Sequence, residues 1–333
     1  ITLSATVDDA PQDSDLVLTL SNGEQITIAV GTTTGSVTFA NPNGEDGYVD
    51  GETLVYSISS SDGGGNYEAL DTSATATVTV NDTVDTSTVT LANSVANEGA
   101  NITINASVDR APQGSDLVLT LNNGEQITIA AGATTGSVTF ANPNGEDVYV
   151  DGETLVYSVA ASSGGNYESL DTSSTSTVVV SDTIDSSTVS LDSPTVAEGE
   201  AITLTATVDN APRTSDLVLT LSNGEEITIA VGQTTGSVTF ANPNGDDVYV
   251  DGGTQSYSIT GSAGGDYEAL DTSATSTVTV TDTVDSSTVT LGDVTVNEGD
   301  AITLSATVDN APQDSDLVLT LSNGEQITIA EGT

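Results

Sequence analysis

Along most of the chain apolar and polar residues alternate with a period of two, and almost no stretch carries the 3.6-residue period of a helix. The segment from Thr86 to Asp185 shows the pattern well. It opens with Val89 and Leu91, followed by Ile102, Ile104, Ala106 and Val108 interleaved with Thr103, Asn105 and Ser107. Leu117, Leu119 and Leu121 mark a third strand, and Ile127 and Ile129 a fourth. Between these two, Asn123-Gly124 predicts a tight hairpin with a type I′ turn, which needs positive φ at both central residues. Val138 and Phe140, then Leu155, Tyr157 and Val159, then Val178, Val179 and Val180 complete the set. In an earlier stretch Ala74, Ala76, Val78 and Val80 alternate with threonines.

Seven short antiparallel strands in about 100 residues predict an all-β domain, a seven-stranded immunoglobulin-like (cadherin-like) β-sandwich. The Cys and Trp of antibody domains are missing, so only the architecture carries over. The string DLVLTLSNGEQITIA begins at Asp15 and returns nearly unchanged from Asp116, Asp216 and Asp316, a period of 101, 100 and 100 residues. The odd residue falls in a glycine run, where Gly63, Gly64 and Gly65 face only Gly164 and Gly165 one repeat later. A period near 100 is a whole domain rather than a solenoid turn. The Asp/Thr stretches NDTVDTST, SDTIDSST and TDTVDSST separate the units. Two complete units are expected at 86–185 and 186–285. The sequence reads as a piece of a longer array, with 1–85 lacking its first strand and 286–333 holding first strands only. An odd strand count places the two ends of a unit at opposite poles. Units are then expected to be strung end to end, each adding roughly 30–45 Å at about 3.3 Å per strand residue.

Composition changes the picture. Of 333 residues 49 are acidic and two are basic, Arg110 and Arg213, for a net charge of −47. Such a surface repels nucleic acid and anionic membranes. Acidity of this degree often marks disorder, but patterned Val, Ile, Leu and Thr argue for a folded chain. There is no cysteine to staple the small cores, and no apolar run approaches the roughly 20 residues of a membrane helix. Divalent cations are the direct way to neutralise the carboxylates.

Strand order sorts the acids by pole. In unit 86–185 the turn ANEGAN supplies Glu98, the loop NPNGEDVYVDGE supplies Glu146, Asp147 and Asp151, and the exit stretch supplies Asp182 and Asp185. All are expected at the exit pole. The same positions recur as Asp46, Asp50, Asp82 and Asp85 in the first unit, and as Glu198, Asp247, Asp251, Asp282 and Asp285 in the third. Glu298 repeats the turn glutamate in the last. The entry pole of the following unit presents Asp209 and Asp216, with Asp266, Glu268 and Asp271, and both groups are expected to meet at the junction. Asp109 and Asp171 occupy the same places one unit earlier. A lone acid in a turn is usually solvated surface. Crowded carboxylates beside every linker repel one another unless a cation lies between them. With no His or Cys to offer nitrogen or sulfur, the ligand set favours Ca²⁺ over transition metals, and flexible loops favour it over Mg²⁺. No EF-hand loop or glycine-rich β-roll repeat is present.

Three motifs in fixed order carry a family resemblance: DLVLTLSNGEQITIA, GGNYESLDTS (Gly164–Ser173) and DTVDSSTVTL (Asp282–Leu291). They resemble the repeats of LapA-like giant adhesins, the type I-secreted, RTX-type biofilm adhesins of Gram-negative bacteria, over the whole chain. The resemblance implies extracellular extender repeats of a stalk, held at one end in the outer membrane and carrying ligand-binding domains at the other. The junction logic also looks like that of cadherins, with Glu98, Asp147, Asp151, Asp182 and Asp185 in the corresponding places. The cadherin motifs themselves are not matched.

Three functional classes compete. A structural extender needs no pocket and has only neighbouring repeats as partners. A binding module, homophilic or glycan-binding, needs exposed aromatics, for which Tyr149 and Tyr167 qualify unless they pack at loop bases. Lateral or end-to-end filament contacts are a variant of this class, and a symmetric interface above about 1,000 Å² would mark them. An enzyme is excluded as a Ser-His-Asp, thiol, Schiff-base or zinc catalyst by the absence of His, Cys and Lys. Carboxylate-pair glycosidase chemistry would need the same cleft in every repeat.

Overall fold

The computed structural model describes residues 1–65 and 67–333. The described residues are all strand, turn and loop, and no helix among them is long and apolar enough to cross a membrane. The chain divides into two compact units, one of Ile1–Gly145 with Gly152–Ser181, the other of Glu146–Asp151 with Asp182–Thr333.

In the first unit, residues 86–145 and 152–181 form a sandwich of two sheets. The five-stranded sheet runs Gln126–Ile129, Leu117–Leu121, Glu153–Ser163, Thr175–Ser181, Ser94–Asn97. The four-stranded sheet runs Thr135–Phe140, Ile102–Val108, Thr86–Leu91, Ser169–Asp171. The alternation read from the sequence aims Ile102, Ile104, Ala106 and Val108 inward against Leu117, Leu119, Leu121, Ile127 and Ile129, all buried. Phe140 meets Tyr157 edge to face at 5.3 Å, which closes one end of this light core. Residues 1–80 repeat the plan around Leu16, Leu18, Leu20, Ile26, Ile28 and Tyr56. There strand Glu52–Gly63 has 12 residues against 11 in Glu153–Ser163.

In the second unit, residues 186–281 build the same two sheets, with Leu217, Leu219, Leu221, Ile227 and Ile229 facing Ile202, Leu204, Ala206 and Val208. Residues 289–329 add two antiparallel pairs, Val289–Leu291 with Ala306–Val308 and Leu317–Thr320 with Gln326–Ile329.

Two local expectations are corrected. Each complete sandwich has nine strands instead of seven, and two pairings are parallel. The first strand breaks after Leu91, so that Ser94–Asn97 crosses to the other sheet and runs parallel to Val178–Ser181. The Asn93 side chain supports the crossing by accepting a hydrogen bond from Thr177 N at 2.8 Å. Ser169–Asp171 runs parallel to Thr86–Thr88. The hairpin turn also differs. Gly124 N donates to Leu121 O, Leu121 N donates to Glu125 O, and of the Asn-Gly pair only Gly124 has positive φ, at 88°. This is the three-residue hairpin in which a type I turn is followed by a left-handed glycine, not a type I′ turn.

Candidate metal centre and loop-docking site

The acidic centre is drawn most completely in the second unit. Glu198 follows strand Thr195–Ala197 and is clamped by backbone on both sides: its N donates to Thr281 O, and Gly199 N donates to Asn244 O. The loop facing it is closed by asparagines. Asn244 Nδ2 donates to both the carbonyl and the carboxylate of Asp251 at 3.2 Å, and Tyr249 N donates to Asp247 at 2.7 Å. This scaffold places one carboxylate oxygen from each of Glu198, Asp247 and Asp251 within 4.8 Å of one another, and likewise for Glu198, Asp246 and Asp285. Asp282 adjoins the group through Asp251 N, which donates to its Oδ1 at 3.1 Å.

Two observations test whether these residues fit a cation. Glu198 is 2% exposed and its Oε2 has no hydrogen-bond partner, so a carboxylate oxygen is withdrawn from water without compensation. The Thr283 hydroxyl lies 2.8 Å from Glu198 Oε1, 2.8 Å from Asp246 Oδ1 and 3.1 Å from Asp285 Oδ2. A hydroxyl has one proton, so it satisfies one of these three acceptors at a time, and of the three Glu198 Oε1 also accepts from Thr283 N. Several oxygen donors, one of them buried, with too few protons among them suit a hard divalent ion.

The other predicted acids fall into place around this pattern. In the first unit Asp46, Asp50 and Asp82 line one polar pocket together with Glu45 and Glu168. Asp85 N donates to Glu168 Oε2 at 2.7 Å, as Asp185 N does to Glu268 Oε2 at 2.6 Å in the second unit. Asp182 and Glu268 each bring a carboxylate oxygen within 4.8 Å of the other. Glu98 is buried, with its N on Ser181 O and Gly99 N on Asn144 O, the same clamp as at Glu198. Asp147 accepts from Tyr149 N at 2.8 Å and pairs with Arg213, which also reaches Asp151.

A further set turns to its own backbone. Asp109 and Asp209 accept from Thr88 N and Thr188 N, and Asp216 accepts from Val231 N. Burial works to raise the Asp209 carboxyl, but hydrogen bonds from Thr188, Ser187 and Asn210 outweigh it and lower the pKa. Asp171 and Asp271 accept from Ser173 N and Ser273 N; their pKa is lowered by hydrogen bonds from the serine, the backbone first for Asp171 and the side chain first for Asp271. Among the described residues these aspartates and the exposed Glu298 join no group of three acids at metal spacing. Glu45, Glu168, Asp246 and Thr283 belong to the site and were absent from the expected ligand set. The signal for Thr283 was the D-T-x-D spacing, and that for Glu45 and Asp246 was the acid directly before the loop aspartates Asp46 and Asp247.

Beside the acids lies a second construction built on tyrosine. In the first unit Tyr48 stacks on Tyr167 with centroids 5.7 Å apart, and its hydroxyl donates to Ala111 O at 2.6 Å. Val49 N donates to Asn166 O, Asn166 Nδ2 returns to Val49 O, and Glu168 N donates to Gly47 O. Asn166 holds φ of 59°, a left-handed conformation that asparagine tolerates. In the second unit the segment 146–151 makes the same clasp: Tyr149 stacks on Tyr267 at 5.5 Å, its hydroxyl donates to Ala211 O, and Val150 N donates to Asp266 O. Tyr167 and Tyr267 are each pushed up to about 12, chiefly by burial and then by the stacked tyrosine and a nearby aspartate. The predicted loop tyrosines are thus packing residues.

Fold and site together define a chain of tandem β-sandwich repeats whose loops and acids meet where one repeat follows another. The LapA domain model matches residues 1–83, 85–183, 185–283 and 285–333, so the chain belongs to the LapA domain family. No curated protein matches the chain. Among solved structures it is similar to the I9-I11 tandem from titin, at 11% identity and a TM-score of 0.22, over 85% of this chain and 93% of that one. It is also similar to the fibronectin(III)-like modules of Clostridium thermocellum CbhA, at 18% identity and a TM-score of 0.21, over 58% and 94%. With scores that low, the fold class rests on the sheets described above rather than on these neighbours.

Proposed function

We propose that these repeats are extender modules of a large bacterial cell-surface adhesin, secreted to the cell exterior, which Ca²⁺ stiffens at the end of each repeat. The stalk carries a distal binding domain toward a surface for attachment and biofilm formation. The observation that carries the calcium part is the buried Glu198 carboxylate, whose Oε2 has no hydrogen-bond partner, beside Asp246, Asp285, Asp247 and Asp251. Those residues would hold the ion, and the ion supplies the charge that lets the carboxylates stand together. Extracellular calcium modules work at about 10⁻⁴–10⁻³ M, so such a site fills outside a cell and empties inside. A chain exported unfolded then gains stability on arrival.

The extender reading is supported by what the tyrosines do. Tyr149 is 8% exposed, and Tyr48 and Tyr167 stack on each other, which removes the exposed aromatics a glycan site uses. Calcium titration followed by calorimetry and small-angle scattering tests the proposal. Bound ions with a longer, stiffer particle in calcium than in EGTA are the expected result. Identical scattering and melting in both, with no heat of binding, overturns it.

A further inference from the structure

The chain has two cationic side chains, and both reach acids beside a clasp. Arg110 Nη2 lies 3.9 Å from Asp85 Oδ2. Arg213 Nη1 lies 2.8 Å from Asp147 Oδ2 and 3.9 Å from Asp151 Oδ2. The guanidinium carbon of Arg213 sits 4.0 Å above the Tyr149 ring, a cation–π contact on a ring already fixed by Tyr267 and Ala211. The position that holds Arg213 holds glutamine elsewhere: Gln12, Gln113 and Gln313. Asp247 and Asp251 are the counterparts of Asp147 and Asp151, and in both pairs the two aspartates bring a carboxylate oxygen within 4.8 Å of each other. The same pair of aspartates therefore exists in two charge environments within one unit, with a fixed guanidinium at one and a neutral glutamine position at the other.

We propose that Arg213 takes the place of a divalent cation on Asp147 and Asp151, so that successive repeats hold different numbers of ions. The inference rests on the calcium reading above and adds to it a rule for which positions need the metal. A guanidinium on the pair cancels one of its two charges and, being itself a cation, repels an incoming Ca²⁺. Arg is suited to the part because its planar fork stays charged and stacks on an aromatic face. A loop that meets such an arginine keeps half of the pair's charge cancelled when calcium is scarce. A repeat with glutamine depends on the ion.

Two reciprocal substitutions in the full chain test this. Arg213→Gln should add a calcium site or tighten one by about tenfold, equivalent to about 1.4 kcal/mol. Gln313→Arg should weaken binding at the Glu198 group by a similar factor. Calcium calorimetry gives the stoichiometry, and tyrosine-sensitised terbium luminescence reports filling beside Tyr149 and Tyr249 without reference to stability. Wild type that binds calcium while both variants bind it unchanged overturns the role of Arg213 and leaves the calcium reading standing. Wild type that binds no ion overturns the reading itself, and the inference with it.

Discussion

The ring of Tyr149 lies against that of Tyr267, with centroids 5.5 Å apart and planes inclined by 28°, although the two residues are far apart in sequence. The Tyr149 hydroxyl completes the contact at Ala211 O, 2.6 Å away. Tyr149→Phe keeps the stack and removes this hydrogen bond, leaving one carbonyl unsatisfied, for a loss of about 1 kcal/mol. Tyr149→Ala removes the ring and should cost about 3–5 kcal/mol, as for a buried aromatic. Denaturant unfolding followed by tyrosine fluorescence measures both. Equal effects from Phe and Ala would mean that the stack contributes nothing beyond the hydroxyl.

The clasp has a pH signature. Tyr167 and Tyr267 hold their protons up to about 12, against an ordinary value of 10.0, because burial disfavours the phenolate. A raised pKa means the folded state binds the proton more tightly than the unfolded state. The contribution is fully present below pH 10 and is lost as pH rises through about 12. Melting temperature should therefore fall over that interval, and Tyr167→Phe with Tyr267→Phe should flatten the fall. Ultraviolet titration of the phenols in the double variant separates these two rings from the others.

Much of the architecture was legible in the residues. The alternation from Ile202 to Val208 identifies a strand buried on one face, and the recurrence of one string identifies the tandem order. The break after Leu91 has no Gly or Pro of its own, and its signal stood in the other repeats, as Pro194 and Gly292; the crossing itself uses a hydrogen bond to Thr177, 84 residues on. Asn123-Gly124 is compatible with two hairpin turns, and the register of Leu121 against Glu125 selects between them. The acids at the loops were readable as a group. Their division was not. Asp171 and Asp209 serve backbone N–H groups nearby, whereas Asp246 reaches Thr283 and Glu198 through the folded loop. Arg213 finds Asp147 66 residues away, a relation that no spacing rule predicts.

Gly47 and Arg110 form a matched pair. A Cβ on Gly47 would lie 2.3 Å from Arg110 Nη1, so the guanidinium occupies space that a side chain would need. The equivalent positions hold Val148 with Asn210 and Val248 with Asn310, a larger residue in place of glycine and a smaller one in place of arginine. Gly47→Val alone should displace the Arg110 side chain and cost about 1 kcal/mol, the low end of the range for overpacking. Adding Arg110→Asn should restore most of the loss. A double-mutant cycle in denaturant gives the coupling, and additive effects would mean the two residues do not share that space.

The sign of one substitution can be made to depend on calcium. Glu198→Gln keeps the size of the side chain and removes its charge. Without calcium the wild-type carboxylate is buried, unpartnered at Oε2 and surrounded by Asp246, Asp247, Asp251 and Asp285. Removing that charge should relieve about 1–3 kcal/mol, so in EGTA the variant should be the more stable protein. With calcium the order should invert. An ion bound only to the folded state adds about 2.7 kcal/mol at a hundredfold excess over Kd, and the variant loses an anionic ligand and with it most of that gain. Melting curves of both proteins across a calcium titration should therefore cross. A variant less stable than wild type at every calcium concentration would show that Glu198 serves packing rather than a cation.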